Sequence, residues 1–269
     1  MKYVQQTSYL RGMTLSFKAK MKESARKNNS PLVLALDLPY EAPENRSKIL
    51  DKAQKILNAV HPYICAVKIN HHLLLPLGTF IGIQQLVEQI HGQGLLAIMD
   101  AKVNDIGATN QVIAEYYYAA GFDCLIANPF VGWEEGLKPL FEVSRKLEHG
   151  VILLCYMSHK SAGEGYGQTI IDHTTGEKIP QYVSFAKKAL KWGADGVVVG
   201  ATYPEKISEI KEILGEKVPI YSPGVGVQGG SAETALTAGA RYLIVGREIT
   251  QAENPAKAAS KFSSSLIHA

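Results

Sequence analysis

Asp100-Ala101-Lys102-Val103-Asn104-Asp105 sets two carboxylates and an ammonium within one short segment, at the end of the apolar run Leu95–Asp100. An ammonium flanked by carboxylates stays protonated, and the carboxylates stay ionised, because each charge favours the charged form of its neighbours. Such a group can deliver a proton and hold negative charge against an anionic substrate. Asp37 and Lys68 also sit toward the ends of apolar runs, Leu32–Leu38 and Tyr63–Ile69. Charges that continue buried strands are costly unless paired. One such residue is adequately explained as an ordinary ion pair. Five of them, Asp37, Lys68, Asp100, Lys102 and Asp105, are expected to form one array of alternating sign at a common rim.

A second constellation is Ser222-Pro223-Gly224-Val225-Gly226-Val227-Gln228-Gly229-Gly230, followed by Ile244-Val245-Gly246-Arg247. Glycines let a backbone approach a ligand closely, and an arginine offers a fork of donors matched to a phosphate. A Gly-rich loop alone is weak evidence; beside Arg247 it reads as a phosphate cradle. No His or Cys stands at metal-ligand spacing, and no metal or other cofactor is expected. Cys65, Cys124 and Cys155 lie in apolar stretches and read as buried thiols, an odd number suited to a reducing compartment.

These groups need a scaffold that brings distant strand ends together. From residue 31 onward, short continuous apolar runs alternate with amphipathic stretches. The runs are Leu32–Leu38, Tyr63–Ile69, Leu95–Asp100, Asp123–Asn128, Val151–Met157, Gly196–Val199, Val218–Ser222 and Tyr242–Val245. The intervening stretches include Glu44–Val60, Phe80–His91, Ala108–Ala120, Gln181–Trp192 and Tyr203–Leu214. Continuous rather than alternating strands imply a parallel sheet covered by helices. Eight such units imply a closed α/β barrel, the (β/α)8 or TIM barrel, whose sites form at the C-terminal ends of the strands. An open doubly wound sheet would carry a Gly-rich turn after its first strand; here Leu38-Pro39-Tyr40 follows. The segment His159–Ile179, with little helical pattern, is expected to be a long lid or binding loop. His71, His72, His159 and His173 receive no role beyond exposure or loop packing.

Composition narrows the class. The 269 residues are 46% hydrophobic and 20% charged, the profile of a globular enzyme. No continuous apolar run approaches the ~20 residues that cross a bilayer, and no secretory leader is evident. A cytoplasmic protein without membrane association is expected. The net charge of +3 is unevenly spread: residues 1–30 carry seven Lys and Arg against Glu23 alone. The rest is mildly acidic, with no basic folded face for nucleic acid. Residues 1–30 are expected to be a solvated helix and tail over one end of a single barrel domain spanning 31–269.

Asp100-x-Lys102-x-x-Asp105-Ile106-x-x-Thr109 resembles the signature of the orotidine 5′-phosphate decarboxylase family. LALD at the first strand, VKIN at the second, YMS at the fifth, PGVGVQGG at the seventh and VGRE at the eighth follow the family's order. The resemblance implies cofactor-free decarboxylation of orotidine 5′-monophosphate to uridine 5′-monophosphate. Lys102 would donate the proton, Asp100 would face the substrate carboxylate, and Lys68 would connect the array to the ribose, which Asp37 also binds. Ser158 would meet the pyrimidine. Pro223, Gly224, Gln228, Gly246 and Arg247 would surround the phosphate. It also implies a homodimer in which Asp105 and Thr109 reach the neighbouring subunit's site. The nearest alternatives are the Mg2+-dependent 3-keto-gulonate 6-phosphate decarboxylase and hexulose 6-phosphate synthase of the same superfamily. Their second strand ends in a metal-holding Glu where this chain has Lys68, which would repel a divalent cation. A non-catalytic phosphate-binding barrel is the remaining alternative.

Overall fold

The computed structural model describes residues 15–42, 45–172 and 175–265. Eight parallel strands close into a barrel. They are β1 (Leu32–Ala35), β2 (Ala66–Ile69), β3 (Leu96–Val103), β4 (Cys124–Ala127), β5 (Gly150–Tyr156), β8 (Gly196–Val199), β9 (Ile220–Pro223) and β10 (Tyr242–Val245). β1 pairs with both β2 and β10, which closes the ring. The outer helices include α2 (Arg46–Val60), α4 (Gln84–Gly92), α5 (Gly107–Ala119), α6 (Lys138–Lys146), α8 (Gln181–Trp192), α9 (Pro204–Leu214), the short α10 (Ala232–Thr237) and α11 (Arg247–Thr250), and α12 (Pro255–Ser265).

The strands are apolar on both faces because each face has its own core. Leu32, Leu34, Val67, Ile69, Leu125 and Leu153 pack outward against the helices. Val33, Ala35, Ala66, Ile98, Ile126, Leu154, Val198 and Ile244 fill the barrel interior. Side chains alternate along a strand with a period of two. The inward face of β2 therefore runs from Ala66 to Lys68, and that of β3 from Ile98 to Asp100. The two charges follow the last apolar layer.

Helix α1 (Phe17–Lys27) covers the opposite, N-terminal end of the barrel. Ser16 caps it by accepting from Ala19 N–H, and Arg26 and Lys27 suit its C-terminal dipole. The expected covering helix is there, but it is not simply solvated. Phe17 and Met21 are buried with the interior cluster, and Ser24 donates to the Cys65 carbonyl at 2.6 Å. Gly150 is required beneath it: a methyl there would lie 2.5 Å from the Phe17 ring.

Two segments differ from expectation. His159–Ile179 is not structureless. It contains α7 (Ala162–Tyr166) and an antiparallel pair, β6 (Thr169–Ile171) with β7 (Lys178–Pro180). Short strands with glycine on either side leave too little periodicity to be read from sequence. His173 lies outside the described residues. The stretch His71–Gly92 joins α3 (His71–Leu77), a π turn and α4 into 22 helical residues, with an 18-residue window of mean hydropathy 1.2, long and apolar enough by composition to cross a membrane. Polar residues interrupt it, so no continuous apolar run announces it. Leu73, Leu77, Ile83, Leu86, Val87 and Ile90 form its buried face against the barrel.

Candidate active site

The C-terminal mouth of the barrel opens into a cavity of about 430 Å³. Asp37, Lys68, Asp100 and Lys102 line one side as a chain of alternating charge. Lys68 Nζ lies 3.5 Å from Asp37 Oδ1 and 3.0 Å from Asp100 Oδ2; Lys102 Nζ lies 2.8 Å from Asp100 Oδ1. Asp100 thus holds one lysine on each oxygen. Burial opposes its charge, but the Lys68 and Lys102 ammonium groups outweigh it and keep the carboxyl below the usual range. Burial likewise opposes the Lys68 charge, and Asp100 and Asp37 overcome it, raising that ammonium above its ordinary value. Both groups are ionised at neutral pH.

An irregularity in β3 aims Lys102. Residues 99 and 103 of β3 pair with 125 and 127 of β4, so β3 carries extra residues across this interval. Bulges of this kind redirect side chains near sites. Lys102 adopts φ +50°, a left-handed conformation that costs a lysine on the order of 1 kcal/mol. Its side chain remains partly open to the cavity, whereas Lys68 is almost fully enclosed.

The Gly-rich loop forms the facing wall. Gly224 at φ +93° admits no side chain: a methyl would lie 2.7 Å from Ser158 Cβ and 2.8 Å from Gln228 Oε1. Gly226 N–H donates to the Gly230 carbonyl, and Gly230 N–H to the Gly224 carbonyl, each at 3.0 Å, folding the loop on itself. Ser222 Oγ anchors its start by donating to the Val199 carbonyl at 2.7 Å. Pro223, Gly224, Gln228, Gly246 and Arg247 all line the cavity, as does Ser158. Ser158 is held from behind by Thr202, whose hydroxyl donates to its carbonyl at 3.0 Å.

The array does not include Asp105. Asp105 and Thr109 are exposed and lie outside the cavity. β3 ends at Val103, and the chain has turned away by Asp105 to start α5. Conversely, the cavity includes residues to which the sequence assigned no role in the site: Asn70, His72, Glu248 and Gln251. His72 Nδ1 meets the Leu38 carbonyl at 2.7 Å, tying the loop that bears Asp37 to the one after β2. Because a carbonyl only accepts, Nδ1 carries the hydrogen. The pair HH in the sequence holds no trace of that partner. Among the described residues, no group of three or more His, Cys, Asp or Glu side chains could hold a metal ion.

A charged relay on strands one to three opposite a glycine and arginine cradle on strands seven and eight agrees with the order of motifs in the sequence. The sequence profile of the orotidine 5′-phosphate decarboxylase / HUMPS family matches residues 30–262. The chain belongs to this family. Among curated members, it is 34% identical over 238 residues to the orotidine 5′-phosphate decarboxylase of Methanosarcina mazei, covering 88% of this chain and 96% of that one. It is 36% identical over 228 residues to that of Pyrococcus abyssi, covering 85% and 95%. The crystal structure of the orotidine 5′-monophosphate decarboxylase from Methanocaldococcus jannaschii, complexed with the inhibitor BMP, superposes with a TM-score of 0.72. That pair is 32% identical, covering 87% of this chain and 97% of that chain. The decarboxylase from Pyrococcus horikoshii superposes with a TM-score of 0.70 at 34% identity, covering 87% and 98%. Helix α1 precedes the segment that the family profile covers.

Proposed function

We propose that this chain decarboxylates orotidine 5′-monophosphate to uridine 5′-monophosphate and CO2, the last step of de novo pyrimidine nucleotide synthesis. The observation that carries the reading is the Asp37–Lys68–Asp100–Lys102 chain facing the Gly224–Gly230 loop and Arg247 across one cavity. The loop and Arg247 take the phosphate through backbone N–H groups and a guanidinium. Asp37 and Lys68 take the ribose, and Ser158 meets the pyrimidine. The bond from the ring carbon to the carboxylate breaks, CO2 leaves, and the electron pair stays on the ring carbon. The Lys102 ammonium, fixed by Asp100, stabilises that developing charge and transfers its proton to the carbon. Lys102 then regains a proton from solvent, to which it is partly open. Phosphate binding remote from the reacting carbon helps organise these groups.

Asp105 and Thr109 belong, in this proposal, to the neighbouring subunit's site in a homodimer. Both are exposed, as are the apolar side chains of Ile106, Val112 and Tyr116 in the same stretch of chain and of Phe80 and Ile81, and Phe80 meets Tyr116 edge to face at 6.0 Å. Exposed apolar side chains beside these two residues suit a subunit interface.

A Mg2+-dependent reaction at the same mouth is disfavoured by the Lys68 ammonium, which stands where a divalent ion would be repelled. Purified protein is expected to consume orotidine 5′-monophosphate in EDTA, followed by loss of substrate absorbance, and Lys102→Ala to abolish turnover. Dependence on added Mg2+ would favour the metal-dependent reaction. Binding without turnover would favour a non-catalytic barrel.

A further inference from the structure

Asn110 is fully buried near the start of α5, and two of the three hydrogen bonds its carboxamide makes go to one residue. Its Oδ1 accepts from the backbone N–H of Asp105 at 3.1 Å. Its Nδ2 donates to the Asp105 carbonyl at 2.5 Å and to the Gly136 carbonyl at 3.0 Å. One carboxamide therefore grips both main-chain polar groups of a single residue and ties them to the turn before α6. The packing around it leaves no slack. A methyl on Gly107 would lie 3.0 Å from the Glu135 carbonyl, and one on Gly136 would lie 2.8 Å from the Val131 carbonyl. Within this clamp Asp105 Oδ1 accepts from Ile106 N–H at 2.7 Å, which orients the carboxylate.

We infer that Asn110 is a positioning residue for the partner subunit's active site, acting through the backbone of Asp105. The inference rests on the proposed dimer. Asp105 is exposed and does not line its own cavity, so nothing in its own subunit's site explains a buried amide that spends two of its three hydrogen bonds on the Asp105 main chain. The chemistry calls for an amide. A hydroxyl could not satisfy one donor and two acceptors, and a carboxylate would turn an oxygen toward two carbonyls.

Subunit mixing separates this role from a purely structural one. In a mixed dimer of Asn110→Ala and Lys102→Ala, one site combines an intact Lys102 with an Asp105 held by an intact Asn110. Each homodimer is expected to lose at least tenfold in kcat. An equal mixture, after dissociation and reassociation, is expected to recover about a quarter of wild-type turnover, one intact site in each mixed dimer. Asp105→Ala mixed with Lys102→Ala is the control for the dimer itself. Recovery in the control without recovery for Asn110→Ala overturns the role of Asn110 alone. No recovery in the control overturns the shared site, and the inference with it. A double-mutant cycle gives an independent readout: Asn110→Ala should add no further loss on an Asp105→Ala background, and a fully additive loss counts against the inference. Asn110→Ser, which buries no charge and keeps a single donor, goes through the same mixtures in case the alanine variant does not fold, and failure of both variants to complement overturns the proposal.

Discussion

Lys68 Nζ and Asp100 Oδ2 lie 3.0 Å apart with only 7% and 11% of their side chains exposed, a buried ion pair inside the barrel wall. Removing one partner of such a pair leaves a charge with neither water nor full compensation. Lys68→Ala is therefore expected to destabilise the protein by roughly 3 kcal/mol, softened because Lys102 still pairs with Asp100. Replacing both residues together, as Lys68→Met with Asp100→Leu, should recover much of that loss while leaving the enzyme inactive. Urea unfolding beside a turnover assay checks both statements. A double variant no more stable than Lys68→Ala would show that packing rather than charge dominates there.

The closed end of the barrel carries two histidines with opposing pH behaviour. The hydrogen bond to Asp123, at 2.9 Å, holds His91 above its ordinary value against the effect of burial. Its contribution to stability is present below about pH 6.5 and is lost as pH rises through the folded value. His149, stacked on Tyr118, is lowered by burial, so its contribution is present above about pH 6.5 and lost as pH falls through its folded value. Melting temperatures measured from pH 5 to 8 should show His91→Gln removing the decline on the alkaline side. A profile unchanged by that substitution would rule out the His91–Asp123 contribution.

Arg247 and the Gly224–Gly230 loop are assigned to the phosphate. Arg247→Ala should remove charge-assisted hydrogen bonds worth about 1.5–3 kcal/mol, raising KM roughly 10- to 100-fold with a smaller change in kcat. The discriminating measurement uses orotidine without its phosphate, on which wild type and variant should become alike. A variant equally impaired on both substrates would refute the assignment.

Gly224→Ala tests the geometry of the same loop. Its φ of +93° and the 2.7 Å approach to Ser158 Cβ exclude a methyl without movement of the loop or of Ser158. Affinity for the product nucleotide should fall, beside a modest drop in melting temperature from the strain of an alanine at positive φ. Unaltered affinity in a binding titration would contradict the loop's place in the site.

Phe17 is 1% exposed and closes the barrel floor from α1. Phe17→Ala should cost about 3–5 kcal/mol through lost burial and the cavity left behind. Guanidinium unfolding reads the shift. A loss below about 1 kcal/mol would mean that the floor collapses to fill the space.

Much of the barrel was legible in sequence because its strands are buried on both faces and read as continuous apolar runs broken by helices. Gln181–Trp192 matches its helix at both ends. Boundaries elsewhere moved: the run expected as Tyr63–Ile69 becomes a strand only from Ala66, with a 3-10 turn over His61–Tyr63. The hairpin at Thr169–Pro180 escaped notice because three-residue strands carry almost no period. Phe17 and Met21 were submerged in a basic segment, where charge masked the apolar face of α1.

By itself the sequence determined which groups exist and in what order: Asp37, Lys68, Asp100 and Lys102 at strand ends, and a glycine loop with Arg247 at the last two strands. Those are properties of residue type and spacing. Tertiary structure alone decided which of them meet. Closing the ring sets β1, β2 and β3 side by side, and the two-residue side-chain period then turns Lys68 and Asp100 inward toward one another. The irregularity in β3 aims Lys102 into the cavity, while the turn beyond Val103 carries Asp105 out of it. His72 gained the Leu38 carbonyl, and Asn110 the backbone of Asp105. A partner's main-chain carbonyl or N–H leaves no mark on the spacing of side chains, so contacts of that kind emerge only when the chain is folded.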